Sequence, residues 1–433
     1  MGRGVKSSQV KWAVLAVVVV LAATVGVILG TSGNRDDSAA LGPVTLTTTV
    51  QPSEDIYAKP TETAPTTTSA VPGTSTAPSS ESPSSAAGSE SPASSAPVDA
   101  SGRKATNVPM TKLAPGEKAP QFVIFSFDGV GSSAKMREFL DAAAPNDARF
   151  TGFLTGLYVI DDSHADAYQG PGADRGASEV GFGGDQAEVV QRVKDLNEAY
   201  LAGNEIGTHY NGHFCGLGEN WSTAEWNDEL DQFFDFLTNW KTIDGITDAP
   251  DLVFPASEVK GGRTQCLVGQ LDQLEPAWQK HGMLYDSSMP APRDGIFWPE
   301  KLDSGIWEFY MPQVYSAGLG GKVTAMDYNF WVKFNGAQKG DFAAELTPKV
   351  LDTYRFMYDQ AYNGNRAPVL IANHFNDWAG NAFNPATAEF MRETCGKPDT
   401  YCATYSDVIA WMELQDPAVL QDLQDQGSVA YQP

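Results

Sequence analysis

The sequence predicts an α/β fold, a barrel of parallel strands with helices outside, and three observations carry that expectation. From Gln121 onward, short apolar runs suited to strands alternate with longer stretches whose apolar residues recur at helical spacing. Residues 112–433 are ample for one large domain, and that length suits an α/β barrel better than two small domains. Polar residues able to do chemistry sit at the ends of the strand-like runs, the edge at which such barrels react.

The chain begins with a basic segment, residues 1–11, carrying Arg3, Lys6 and Lys11. Residues 12–30 are apolar apart from Thr24 and glycines, long enough to cross a ~30 Å hydrocarbon core at ~1.5 Å per residue. The basic flank keeps the N-terminus cytoplasmic, so the expectation is an uncleaved anchor, a single pass through the cell membrane and an extracytoplasmic C-terminal domain. Residues 31–111 are rich in Ser, Thr, Pro and Ala and cannot bury enough apolar surface to offset the entropy of ordering, so they are expected to form a disordered stalk.

Within 112–433 the elements follow in order. Phe122 to Phe127 is a strand, Lys135 to Ala144 a helix, and Phe153 to Ile160 a strand; the Gly- and Asp-rich interval Asp161 to Asp185 reads as an inserted surface loop. Val189, Val193, Leu196 and Tyr200 mark one helix, and Trp226, Leu230, Phe233, Leu237 and Trp240 another. Leu284 to Asp286, Ile306 to Tyr310, Val323 to Trp331 and Val369 to Ala372 supply further strands, with a long helix over Phe342 to Tyr362.

The chain has only five histidines, and two of them, His209 and His213, are four residues apart. Imidazoles at that spacing share one face of a helical turn, so with a carboxylate they can meet one divalent ion. Asp128 ends the first strand and could complete the set, or could serve as a helix N-cap. Four cysteines in an exported chain favour two disulfides, Cys395 with Cys402 and Cys215 with Cys266, although Cys215 beside His213 could instead ligate the metal. His281 closes a predicted helix, and His164 lies in the insertion. A net charge of −25 argues against nucleic acid or anionic lipid as partner and is compatible with a neutral or cationic glycan.

Phe125-Ser-Phe-Asp-Gly129, Glu205-Ile-Gly-Thr-His-Tyr-Asn-Gly-His213, Gly262-Arg-Thr-Gln-Cys-Leu267, Tyr285-Asp-Ser-Ser288 and Asn373-His374 together resemble, in order and spacing, the motifs of the polysaccharide deacetylase family, the NodB-homology carbohydrate esterases. The resemblance spans most of Gln121 to Trp411. It implies a deformed, seven-stranded (β/α) barrel that removes acetyl groups from sugars with a divalent metal, commonly zinc. In that reading His209, His213 and Asp128 hold the metal, Asp128 also accepts a proton from water, Arg263 orients and charge-pairs Asp128, and His374 donates a proton to the departing amine. Two departures stand out: the family has two adjacent aspartates where this chain has Asp128 followed by Gly129, and Gln265 replaces a proline.

The expected function is therefore a membrane-anchored, metal-dependent deacetylase acting on an envelope polysaccharide or amino-sugar glycan. The alternative, motivated by the single aspartate, is a catalytically impaired glycan-binding protein on the same fold. Trp298, Trp307, Trp331 and Trp378 are expected to line an aromatic groove in either case. The chain lacks a G-x-S-x-G elbow, and Gly320-Gly-Lys-Val323 lacks the spacing of a phosphate loop. A glycosidase would have to recruit carboxylates such as Asp303, Glu308 and Asp327.

Overall fold

The computed structural model describes residues 98–99 and 102–431. The basic segment, the apolar run over residues 12–30 and almost all of the Ser/Thr/Pro-rich stretch lie outside the described residues, and among the described residues no helix is long and apolar enough to cross a membrane. The packed chain begins before residue 112. Arg103 donates to the carbonyls of Gly203 and Asn204, Asn107 to those of Asp147 and Cys402, and Val108 is buried. Composition misses this strap because polar side chains, rather than an apolar stripe, fasten most of it.

Strand β1 (Gln121–Asp128) and helix α1 (Ser133–Ala143) lead to β2 (Phe150–Leu154). Helix α2 (Gln186–Leu201) precedes β3 (Glu205–Thr208), the short α3 (Cys215–Gly218) and long α4 (Thr223–Ile243) precede β4 (Gly261–Gly262), and α5 (Leu271–Lys280) precedes β5 (Tyr285–Asp286). Strand β6 (Glu300–Lys301) pairs antiparallel with β7 (Trp307–Glu308), and β8 (Gln313–Ser316) forms a separate hairpin with β9 (Gly321–Thr324). Helices α6 (Asp327–Asn335) and α7 (Ala343–Asn363) lead to β10 (Val369–His374). Helices α8 (Trp378–Asn381) and α9 (Phe383–Thr394), strand β11 (Thr400–Cys402), and helices α10 (Tyr405–Leu414) and α11 (Pro417–Gln424) follow.

Seven strands run parallel in the order β10-β1-β2-β3-β4-β5-β7, with β6 beyond β7 and β11 added to β1. No residue of β1 or β10 is exposed, as expected of parallel strands covered by helices. The seven strands are a barrel with one imperfect seam. Between β7 and β10 there is no ladder; instead Ala325 N–H donates to Pro312 O at 2.9 Å, Met326 bridges Ala372, and Met311, Met326 and Ala372 pack together. This is the deformed seven-stranded barrel that the motifs imply.

The interior beneath the strand ends is aromatic. Tyr405, the first residue of α10, stacks on Tyr285 with centroids 4.7 Å apart and also meets Phe153 and Phe309. A capping box between Thr404 and Asp407 starts α10, and the Ser406 N–H and hydroxyl donate to buried Glu205 on β3, so this helix N-terminus plugs the barrel. Gly207 lets β2, β3 and β4 approach closely: a Cβ there would lie 2.6 Å from the Phe153 ring and 2.8 Å from Gly261 O.

Three sequence expectations change locally. The strand expected over Phe153 to Ile160 ends at Leu154, and Gly156–Val159 form a 3-10 turn whose Gly156 N–H donates to Tyr210 O. Continuous burial on all sides hides that turn from periodicity. The run Val323 to Trp331 splits into β9 and α6, because packing Phe330 and Trp331 on a helix face overrides their strand propensity. The interval 161–185 is not merely superficial: Tyr168 within it is fully buried and donates to Glu229 at 2.8 Å.

Candidate active site

The site gathers at the C-terminal ends of β1, β3, β4 and β10, and register explains much of it, since Asp128 on β1 pairs directly with His374 on β10. Asp128 is buried, and it does not cap a helix, because Ser132 caps α1. Gly129 turns the chain immediately after it at φ 61°, a left-handed conformation that glycine adopts without strain.

Arg263 follows β4 and is fully buried, not a surface ion pair. Its Nη1 donates to Asp128 Oδ1 at 2.8 Å and its Nε to Ser287 O at 2.7 Å. Its Nη2 lies within hydrogen-bonding distance of Ser126 Oγ, Ser287 Oγ and Tyr405 Oη, at 3.1, 3.0 and 2.9 Å. The guanidinium also stands 4.9 Å over the Phe153 ring. Burial pulls its pKa down, but the Asp128 carboxylate outweighs that and the net shift is upward, so the ion pair persists.

The other carboxylate partner is Asp327, the first residue of α6. Its Oδ1 lies 2.8 Å from His374 Nδ1, and its Oδ2 accepts the His374 backbone N–H at 2.7 Å. With Nδ1 held there, His374 Nε2 faces Asp128 Oδ2 at 3.9 Å. Burial depresses the His374 pKa, yet the adjacent Asp327 charge more than compensates and the net shift is upward. The sequence counted Asp327 only among scattered carboxylates. Its local signal, an acid in the first turn of a helix, is too common to single it out.

His209 follows β3, and its Nδ1 lies 2.9 Å from Arg263 O, an arrangement that assigns the proton to Nδ1 and a lone pair to Nε2. Nε2 is buried without a hydrogen-bond partner. Burial, then the charge of His374, pull the His209 pKa down to about 3, so the ring is neutral near pH 7. Burial and the neighbouring His209 likewise hold His213 well below the ordinary histidine range. The two rings are 5.3 Å apart, though not on a helix: Tyr210 at φ 55° and His213 at φ 58° lie in a loop, which brings them together by left-handed turns.

Two neutral imidazoles beside a carboxylate, one with an orphaned buried nitrogen, are a donor set that fits a divalent ion such as zinc. The fit is incomplete. Among the described residues, the groups whose ligand atoms lie within 4.8 Å of one another are His213, Cys215 and Cys266, and Asp161, His164 and Asp244; Asp128, His209 and His213 are more widely spaced. Both expected disulfides are present, Cys215 with Cys266 and Cys395 with Cys402. The first ties the loop after β3 to the loop after β4, and it rules out Cys215 as a thiolate ligand in this oxidised form.

The aromatic groove is corrected. Trp298, Trp307 and Trp331 are buried core residues with their indole N–H groups committed to Asn365 O, Glu413 and Gln338 O; only Trp378, 4.7 Å from the His374 ring, adjoins the site. Asp303 is exposed, Glu308 is buried beside Asp286 on the neighbouring strand, and Asp327 is committed to His374, so the glycosidase carboxylates do not converge. His281 caps α5, with its Nδ1 at Ala277 O, and His164 pairs with Asp161 away from the site.

No family model and no curated protein matches this sequence. Solved structures similar to it include a Mycobacterium smegmatis protein described as a polysaccharide deacetylase (16% identity, TM-score 0.41, covering 69% of this chain and 93% of that one). A family 4 carbohydrate esterase from Streptomyces lividans, solved in complex with acetate, aligns at 13% identity and TM-score 0.31 over 65% of this chain and 91% of that one. A CE4 family pseudoenzyme from Bacillus anthracis aligns at 10% identity and TM-score 0.33 over 66% of each chain.

Proposed function

We propose that this chain is a metal-dependent carbohydrate deacetylase, a divergent member of the polysaccharide deacetylases, held at the cell membrane by residues 12–30 with its catalytic domain outside and acting on an acetylated envelope glycan. The observation that carries the reading is the linked set Arg263–Asp128, His374–Asp327 and the two neutral imidazoles at one end of the barrel.

A divalent ion held by His209 and His213, with Asp128 as the nearby carboxylate, would polarise an acetyl carbonyl and acidify water. Every other element of the chemistry belongs to the chain. Arg263 fixes one Asp128 oxygen and leaves the other toward His374, so Asp128 is placed to accept the proton of the attacking water. Asp327 holds His374 by Nδ1 and favours its protonated form, so Nε2 can donate to the leaving amine or alkoxide. Trp378 walls the His374 side of the site and restricts water there.

The second reading, a glycan-binding protein with impaired catalysis, is favoured by the single carboxylate: Gly129 stands where a second aspartate would complete the metal set. Metal analysis and acetate release from N-acetylated oligosaccharides separate the two. A deacetylase holds one divalent ion per chain, releases acetate, and loses both on His209→Ala. Oligosaccharide binding with neither metal nor acetate would leave only the second reading.

A further inference from the structure

The geometry points to a second divalent-metal site, made by His213, Cys215 and Cys266, that opens only when the Cys215–Cys266 disulfide is reduced. One ligand atom from each of these three residues already lies within 4.8 Å of the other two. Cys215 Sγ is 3.7 Å from His213 Nδ1. Zn–S and Zn–N bonds of about 2.3 and 2.0 Å at a tetrahedral angle separate their donors by roughly 3.6 Å. The histidine and the cysteine therefore stand at the spacing of co-ligands before any metal is present. A second observation comes from the same pocket. His209 Nε2 is buried with no partner, and its ring is 5.3 Å from that of His213, so a fourth nitrogen donor is close.

The two disulfides differ in access. Cys215 and Cys266 are both partly exposed, whereas Cys395 and Cys402 are buried, so a reductant in solution reaches the first pair preferentially. The reductant is a dithiol. Its sulfurs join to each other and lose two electrons and two protons, while the Cys215–Cys266 bond breaks and each sulfur becomes a thiol. Metal binding then releases those two protons to water and forms two metal–sulfur bonds. Because His213 belongs to both ligand sets, the redox state of the pair decides whether it shares a metal with the cysteines or serves the site at Asp128.

The test uses full-length protein in detergent, oxidised or reduced with a soluble dithiol that is then removed, and titrated with Co²⁺ or Zn²⁺ alone. The reduced protein should gain a thiolate-to-cobalt charge-transfer band in the near ultraviolet, which the oxidised protein lacks. Zinc should shield Cys215 and Cys266 from alkylation, as read by peptide mapping. The double variant Cys215→Ser/Cys266→Ser should lose the band with Cys395–Cys402 intact, and His213→Ala should weaken the cobalt affinity at least about tenfold. Absence of the band from reduced wild type, shielding confined to Cys395 and Cys402, or an unchanged affinity in His213→Ala would overturn the proposal. None of these readouts depends on deacetylase activity.

Discussion

Arg263 holds the site's geometry at the level of single residues. It is buried, pairs with Asp128, and reaches Ser126, Ser287 and Tyr405 through the same planar fork. Removing it leaves a buried carboxylate without its cation, so Arg263→Ala is expected to cost about 3–5 kcal/mol in urea unfolding of the metal-free protein. His374 and His209 make opposite predictions. The His374 pKa is raised in the fold, so its contribution to stability is full below the ordinary value of 6.5 and is lost as pH rises through the folded value. As the proton donor it is active when protonated, so activity falls on that same alkaline limb. Asp327→Asn removes the raising charge and leaves burial, which lowers the pKa; the alkaline limb of kcat/KM should move to lower pH, and an unmoved limb would separate Asp327 from the chemistry. His209 is depressed to about 3 from 6.5, so the unfolded chain binds the extra proton between those values. Metal-free protein should therefore lose stability as pH falls from about 6.5 toward 3, and His209→Gln should flatten that slope in thermal melts.

The strand ends set the register that these residues require. Asp128 opposite His374, and Thr208 opposite Gly262, place the base, the proton donor, His209 and Arg263 on one rim. That placement needs β3 and β4 in close contact, and a Cβ at Gly262 would collide with the Thr208 carbonyl. Gly262→Ala should destabilise the fold by about 1–3 kcal/mol and also weaken metal binding, because it separates the strands that carry His209 and Arg263. Loss of stability with unchanged metal affinity would show that the two strands need not stay in register for ligation. Helix α10 acts from the other end of the barrel. Its Tyr405 supports Arg263 although 142 residues separate them in sequence. No local pattern marks such a residue, since an apolar helix starting with Thr-Tyr-Ser-Asp reads simply as a capped core helix.

Across the whole molecule, the proposed arrangement is an anchored, acidic catalytic domain. Protein lacking residues 1–30 is expected to partition into the soluble fraction and to keep the acetate-releasing activity of the full chain; persistent membrane association would assign the anchoring to another part of the protein. The net charge of −25 further predicts weaker binding to polyanionic glycans, relieved by salt. Alternating apolar periods were enough to read the α/β class, and the spacing of Asp128, His209, His213, Arg263 and His374 was enough to nominate the site, because strand ends and short motifs are local properties of the chain. The sequence also pointed to both cysteine pairs through their even count in an exported chain. The turn at Gly156, the helix beginning at Asp327, and the burial of Trp298, Trp307 and Trp331 were not legible, because each depends on what packs against it rather than on its own pattern. Only the tertiary structure paired Asp327 with His374, put Tyr405 beneath Arg263, and separated Asp128 from the tight His213–Cys215–Cys266 group. Those are distances between segments far apart in the chain, decided by barrel curvature and burial, and no residue spacing encodes them.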